Sequence, residues 1–217
     1  MLVLLPPSEG KAEPESGDRV DLGSLAYAEQ LTERRAAALA AVDPALGKAA
    51  AAPAADVYTG VLFKRLELPR LPAKARRRVL IFSALWGVVR PDDRIPHYKL
   101  PPKTRLQGIG APAAYWRPAL TEALPDEEGE LVVDMRSAAY ASFWKPKRAT
   151  LLAVRAFTEK DGERKAVSHM AKASRGDVAR ALLQAKEAPA DPEGAATIAE
   201  SAGLRVELAD GSLDVIV

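Results

Sequence analysis

The sequence contains no cysteine and only two histidines, His97 and His169. Disulfides, thiolate zinc sites and thiol catalysis are therefore excluded, and a His-rich transition-metal site lacks its ligands. Carboxylates alone could still hold a Mg²⁺ ion. Long apolar runs are missing too. "MLVLLPPSEGK" opens apolar, but it has no basic leader and the run is too short for a signal segment or a membrane span. A cytoplasmic protein is expected. The phosphate-loop spacing, the H-E-x-x-H pair, the dinucleotide fingerprint and any recognised Ser/His/Asp arrangement are also absent, so neither metal nor cofactor is expected.

What is present is an ordinary globular composition with an uneven charge. The 217 residues carry a net charge of +2, enough chain for one substantial core and a single domain over 1–217. Residues 61–105 hold 12 Lys/Arg against 3 Asp/Glu, whereas residues 1–60 hold 5 against 9. A basic middle segment suits an anionic partner, although "KARRR" (74–78) also reads as a solvated helix end.

Continuous apolar runs predict buried strands at 2–6, 79–83 and 129–135. Hairpins are predicted for 149–157 with 163–170, around Asp161-Gly162, and for the closing segment "LRVELADGSLDVIV". Helical spacing marks 24–43 with Ser24 as cap, 113–124 with Pro118 in its first turn, 137–144, 174–187 and 191–203. Residues 56–66 read as a helix in which Gly60 is a weak point or a place of close approach. The fold class is α+β: a mixed sheet with hairpins, surrounded by helices.

Several stretches carry side chains that a scaffold does not need. "PPSEGK" (6–11) follows a strand and places Ser8 and Lys11 at its end; an exposed turn is the plain alternative. "SALWGVVRPDDRIPHYKL" (83–100) runs from a buried strand into a loop dense in hydrogen-bonding groups, Arg90, Tyr98 and Lys99 among them. "LQGIGAPAA" has the Gly108-Ile109-Gly110 turn of a helix-hairpin-helix element, whose exposed N–H groups suit a phosphate. Lys103 and Arg105 add charge there, while Pro96, Pro101 and Pro102 oppose a regular preceding helix. In "VVDMRSAAY", Asp134 ends a strand near Ser137 and Tyr140, as a general base with positioning donors or as a partner for Arg136. "SHMAKASRG" offers His169, Lys172 and Arg175, neighbours on a helix or merely its solvated start.

Together, "LPPSEGK", "VYTG" (57–60), "SALWGVVRPDD…YKL", "YW" (115–116), "VVDMRSAAYASFWKPK" (132–147) and "SHMAKASRGDVAR" (168–180) resemble, in order, the YaaA family of bacterial peroxide-stress proteins. The resemblance implies a compact α+β fold whose positively charged cleft binds DNA with a helix-hairpin-helix element, in a role that limits damage from peroxide and free iron. Positions matching the family pattern are Ser8, Lys11, Tyr58, Thr59, Gly60, Trp86, Gly87, Arg90, Pro91, Tyr98, Ser137, Tyr140, Lys172, Arg175 and Gly176. The chain is shorter than that pattern, and "PPSEGK" replaces a Ser-Pro-Ala-Lys type opening.

Two functions follow. In the first, the cleft binds DNA, with Arg76, Arg77, Arg78, Lys103, Arg105, Gly108 and Gly110 contacting the nucleic acid. In the second, it is an enzyme site for a small anionic or nucleobase-like substrate. Lys11, Asp134 and Lys172 are then the catalytic candidates, and Ser8, Tyr58, Thr59, Gly60, Arg90, Tyr98, Ser137, Tyr140 and Arg175 bind the ligand.

Overall fold

The computed structural model describes residues 1–160, 163–167 and 170–217. Its strands are β1 (Leu2–Leu5), β2 (Ala51–Pro53), β3 (Val79–Ser83), β4 (Gly87–Val89), β5 (Arg94–Pro96), β6 (Leu131–Asp134), β7 (Thr150–Lys160), β8 (Glu163–Ala166), β9 (Val206–Ala209) and β10 (Ser212–Ile216). The helices are α1 (Ala28–Val42), α2 (Ala54–Val57), α3 (Val61–Leu66), α4 (Ala73–Arg76), α5 (Pro112–Ala123), α6 (Ala138–Ala141), α7 (Met170–Gln184) and α8 (Pro192–Ser201).

Eight strands form one mixed sheet in the order β4-β3-β1-β6-β7-β10-β9, with β8 on β7; β2 and β5 form a separate pair. The five central strands β3, β1, β6, β7 and β10 are all parallel. This explains why β1, β3 and β6 read as unbroken apolar runs. A parallel strand covered on both faces has no solvent side to alternate with. Leu2–Leu5, Val79–Ser83 and Leu131–Asp134 are buried throughout.

The mixed sheet flanked by helices is the expected architecture, and its hairpins pair as expected: β7 with β8, and β9 with β10 around Asp210-Gly211. The predicted turn Asp161-Gly162 lies outside the described residues. Three local expectations need correction. Helix α1 starts at Ala28, because Ser24 donates its hydroxyl to Asp21 in a preceding turn instead of capping the helix. Pro118 sits inside α5, since that helix begins at Pro112. The 56–66 segment is two helices, α2 and α3, parted at Tyr58–Gly60.

Chain order sets the position of the site. From β1 the chain proceeds to β3 on one side, and from β6 it proceeds to β7 on the other. The connections diverge there and leave a crevice beyond the carboxyl ends of β1 and β6, where open parallel sheets place their ligands. Helix α7 closes the crevice by crossing α3 at Gly176, where an added Cβ would lie 2.5 Å from the Leu62 carbonyl oxygen and 2.7 Å from Arg65 Cβ. Backbone cannot give way cheaply at such distances. Gly176→Ala is expected to lower unfolding free energy by roughly 1–3 kcal/mol in urea titration; an unchanged midpoint would show that α3 and α7 do not meet this closely.

Candidate functional site

Loop 6–11 leaves β1 and is clamped against the break between α2 and α3. Lys11 forms an antiparallel bridge with Tyr58, Ala12 N–H donates to Val57 O at 2.8 Å, and Thr59 N–H donates to Gly10 O at 3.1 Å. Gly60 N–H donates to Ser8 Oγ at 2.6 Å. A Cβ on Gly60 would stand 2.3 Å from Ser8 Oγ, so any other residue there would push that hydroxyl away and break the bond. Gly60 is thus a close-approach residue, one of the two roles its sequence context allowed.

The clamp holds the Lys11 side chain over two buried phenols. Its Nζ lies 4.5 Å from the Tyr98 ring centre and 5.7 Å from that of Tyr58, and donates to Ser8 O at 2.6 Å. Burial strips water from the ammonium and lowers the pKa of Lys11 to about 8, outweighing the opposite pull of Glu9. A lysine in this state supplies free amine near neutral pH.

Below the amine runs a chain of hydroxyls. Tyr58 Oη and Tyr98 Oη are 2.7 Å apart, and Tyr98 Oη is 2.7 Å from Ser83 Oγ at the end of β3. Ser83 Oγ accepts the N–H groups of Leu85 and Trp86, both at 3.1 Å. A hydroxyl has two lone pairs and one hydrogen, so the Ser83 hydrogen is directed to Tyr98. Burial raises both phenol pKa values, that of Tyr98 to about 12, so both stay neutral. Ser83 was not singled out from the sequence. Its only signal was a polar residue closing the most apolar strand.

Around Lys11 a cavity of about 920 Å³ opens at the crevice. The β1 side contributes Pro6 to Lys11, the β6 side contributes Ser137 and Tyr140, α3 contributes Gly60 to Phe63, and α7 contributes Lys172 and Arg175. Lys99 to Pro102 complete the wall. Val61, Leu62, Phe63, Leu100 and the prolines make much of the lining apolar, and these residues escaped sequence reasoning because they look like ordinary core or loop positions. Lys11, Lys99, Lys172 and Arg175 face Glu9, the single acidic lining residue among the described residues. Lys172 is half exposed and 3.6 Å from Glu9, an ion pair of little energetic weight. Arg175 donates Nε–H to Val154 O at 3.0 Å.

The structure therefore brings together Ser8, Lys11, Gly60, Ser137, Tyr140, Lys172 and Arg175, with Tyr58, Thr59 and Tyr98 directly behind them. Other candidates are placed elsewhere. Both oxygens of Asp134 are taken by Arg136: Oδ1 accepts Nε–H and the backbone N–H, and Oδ2 accepts Nη2–H at 2.8 Å. Arg136 also donates to Trp144 O and lies 4.2 Å over the Phe82 ring, so the pair is a buried strut and not a free base. Arg90 turns away, donating to Arg77 O and to Tyr27 Oη. Arg76 is paired with Asp92 and donates to Leu71 O; Arg77 is exposed and Arg78 half-buried, and none of the three lines the cavity.

Gly108 and Gly110 adopt positive φ in open space, as a turn requires. However, residues 99–105 before them form no helix, so only α5 follows and the helix-hairpin-helix is incomplete. Lys103 and Arg105 are exposed on that segment, which continues from the cavity wall at Lys99 to Pro102. His169 lies outside the described residues. No helix among the described residues is long and apolar enough to cross a membrane.

With the geometry in place, the chain can be compared with known proteins. The family model for the peroxide stress protein YaaA matches residues 1–207. A UPF0246 protein of Streptomyces coelicolor is 40% identical over 262 aligned positions, covering 100% of this chain and 98% of the relative. The alignment exceeds the 217 residues here, so that relative carries segments this chain lacks. A UPF0246 protein of Corynebacterium glutamicum is 34% identical, with 95% of each chain covered. An uncharacterized protein of Campylobacter jejuni is 33% identical over 55% of this chain and 48% of its own.

The buried pair makes a direct prediction. Asp134→Ala should cost about 3–5 kcal/mol of stability, because it leaves the Arg136 charge buried and unpaired. The double change Asp134→Ala with Arg136→Met should recover most of the loss in urea denaturation. Equal loss in both variants would mean that the pair is not the strut described.

Proposed function

We propose, from the premise that the chain belongs to the YaaA family of peroxide stress proteins, that its cavity binds a small anionic or nucleobase-like ligand on which Lys11 acts as base or amine nucleophile. The observation that carries this reading is the Lys11 amine, desolvated to a pKa of about 8 on the wall of a cavity that holds three further cations. Phosphate binding alone needs no such amine, since fully charged surface lysines serve it better. The apolar lining from Val61 to Phe63 suits a ring or an aliphatic body, while Lys172 and Arg175 suit its charge. Gly60 spends its N–H on Ser8 Oγ and so shapes the wall, while the Ser8 hydroxyl keeps its own hydrogen for a ligand. Lys172, exposed and beside Glu9, is a second cation and not the reactive amine.

DNA binding is the second reading, and one observation favours it. Lys103 and Arg105 stand exposed on the segment that continues from the cavity rim, and Lys99 lies on the rim itself. A strand laid along that segment would meet three cations, whereas a cavity of about 920 Å³ admits a nucleotide but not a duplex. Arg76 is neutralised by Asp92 and adds little to such a surface.

Calorimetry with adenosine 5′-monophosphate separates the readings when paired with DNA anisotropy over a salt series. Each charge-assisted hydrogen bond is worth about 1.5–3 kcal/mol. Saturable nucleotide binding should therefore weaken by roughly tenfold or more in Arg175→Ala. If neither the nucleotide nor inorganic phosphate binds, the small-ligand reading fails. If DNA binds, Lys103→Ala with Arg105→Ala should reduce the log–log salt slope by about 2; an unchanged slope would remove those residues from the interface.

A further inference from the structure

We infer that the ligand of this cavity is an anionic aldehyde or ketone, with Lys11 as the amine that forms an imine and Tyr140 as the acid that protonates the carbonyl oxygen. The inference rests on the reading of Lys11 as a reactive amine and adds both a substrate class and a second catalytic residue. Its starting point is a free phenol. Tyr140 lines the cavity with Lys11, and no described group takes the hydrogen of its hydroxyl. A hydroxyl on the wall of an open cavity can give that hydrogen to a ligand oxygen.

Lys11 and Tyr140 line the same cavity, Lys11 from the loop after β1 and Tyr140 from α6 after β6. Glu9 acts electrostatically on both Lys11 and Tyr140, and Tyr98 lies under Lys11 while coupling to Tyr140. Burial raises the Tyr140 pKa and lowers that of Lys11, so around pH 8 one group is a neutral donor and the other includes free amine. Two groups pushed in opposite directions divide the roles of acid and nucleophile. The remaining neighbours fit an acceptor oxygen. The Ser83 hydrogen is fixed toward Tyr98, which leaves one hydrogen for the Tyr58–Tyr98 bond and one phenol hydrogen over. That hydrogen is sealed behind the wall, so the hydroxyls that face the cavity are those of Tyr140 and Ser8, while Lys172 and Arg175 are placed to hold a phosphate or carboxylate.

The chemistry balances without another reactant. The Lys11 lone pair forms an N–C bond to the carbonyl carbon, and the C=O π pair moves to oxygen, which takes the Tyr140 proton. The new ammonium returns a proton to the Tyr140 phenolate. The carbinolamine C–O bond then breaks as its oxygen takes the Tyr140 proton a second time and leaves as water; the nitrogen lone pair completes the C=N bond, and the iminium N–H proton returns to the Tyr140 phenolate.

The test uses the full chain with pyridoxal 5′-phosphate, a phosphorylated aldehyde, followed by borohydride reduction and peptide mass mapping. Acetic anhydride provides a separate measure of amine reactivity. Saturable trapping at Lys11 is expected, competed by inorganic phosphate and slower by tenfold or more with pyridoxal, which lacks the phosphate. General acid catalysis contributes roughly 10²–10⁴-fold. Tyr140→Phe removes an oxygen that bonds no described group, so it should keep the wild-type melting temperature and Lys11 acetylation while slowing imine formation about a hundredfold. Lys11 that is acetylated but never trapped would overturn the carbonyl assignment and leave the amine reading standing. Lys11 inert to both reagents would overturn both. Equal trapping in Tyr140→Phe would remove Tyr140 as the acid.

Discussion

The clamp of loop 8–12 on residues 57–60 is the constraint on which the site depends. It joins the carboxyl end of β1 to the break between two short helices through Ser8–Gly60, Gly10–Thr59, Lys11–Tyr58 and Ala12–Val57. Without it, a lysine at a strand end would extend into water, as long charged side chains do by default. With it, the amine is folded back over two phenol rings and its hydration is lost. The cost of that desolvation is carried by the surrounding fold, and the gain is a change in the chemistry of one nitrogen.

The sheet makes the clamp effective by ordering its partners around a single crevice. Divergence of the connections after β1 and β6 leaves room there, and each strand brings its own polar sequel, "PPSEGK" on one side and "RSAAY" on the other. Helix α7 adds cations across the gap because Gly176 lets it approach α3. The basic excess of residues 61–105 is then divided. Arg76 and Arg90 hold loops together, Lys99 reaches the cavity, and Lys103 and Arg105 remain in solvent. Net charge along a sequence does not reveal this division, since a guanidinium serves equally well as strut or as ligand.

Much of the fold was legible because the central strands are buried on both faces and therefore appear as plain apolar runs. The bounds Val79–Ser83 could be read directly for that reason. Their parallel pairing was not legible, because parallel order depends on crossovers through helices as short as four residues, which carry little periodic signal. In the site, Lys11, Ser8 and Tyr140 stood out as chemistry-bearing residues after strands. Asp134 stood out for the same reason, yet Arg136 two residues later claims both its oxygens. Spacing alone does not distinguish a base from a strut. Ser83 and the apolar wall from Val61 to Phe63 were hidden because their role comes from what packs against them.

Direct titration of Lys11 tests the account most closely, using NMR on protein labelled with ¹³C at the lysine ε-carbon. Unfolded lysine holds its proton to about 10.4. One folded-state signal should titrate near 8, absent in Lys11→Arg and moved upward in Gly60→Ala, where a Cβ would push Ser8 Oγ away and loosen the clamp. Because this pKa is lowered on folding, the folded state would gain stability as pH rises from about 8 toward 10. A Lys11 that titrates with the surface lysines would mean that the clamp does not desolvate the amine, and the chemistry assigned to the cavity would have no nucleophile.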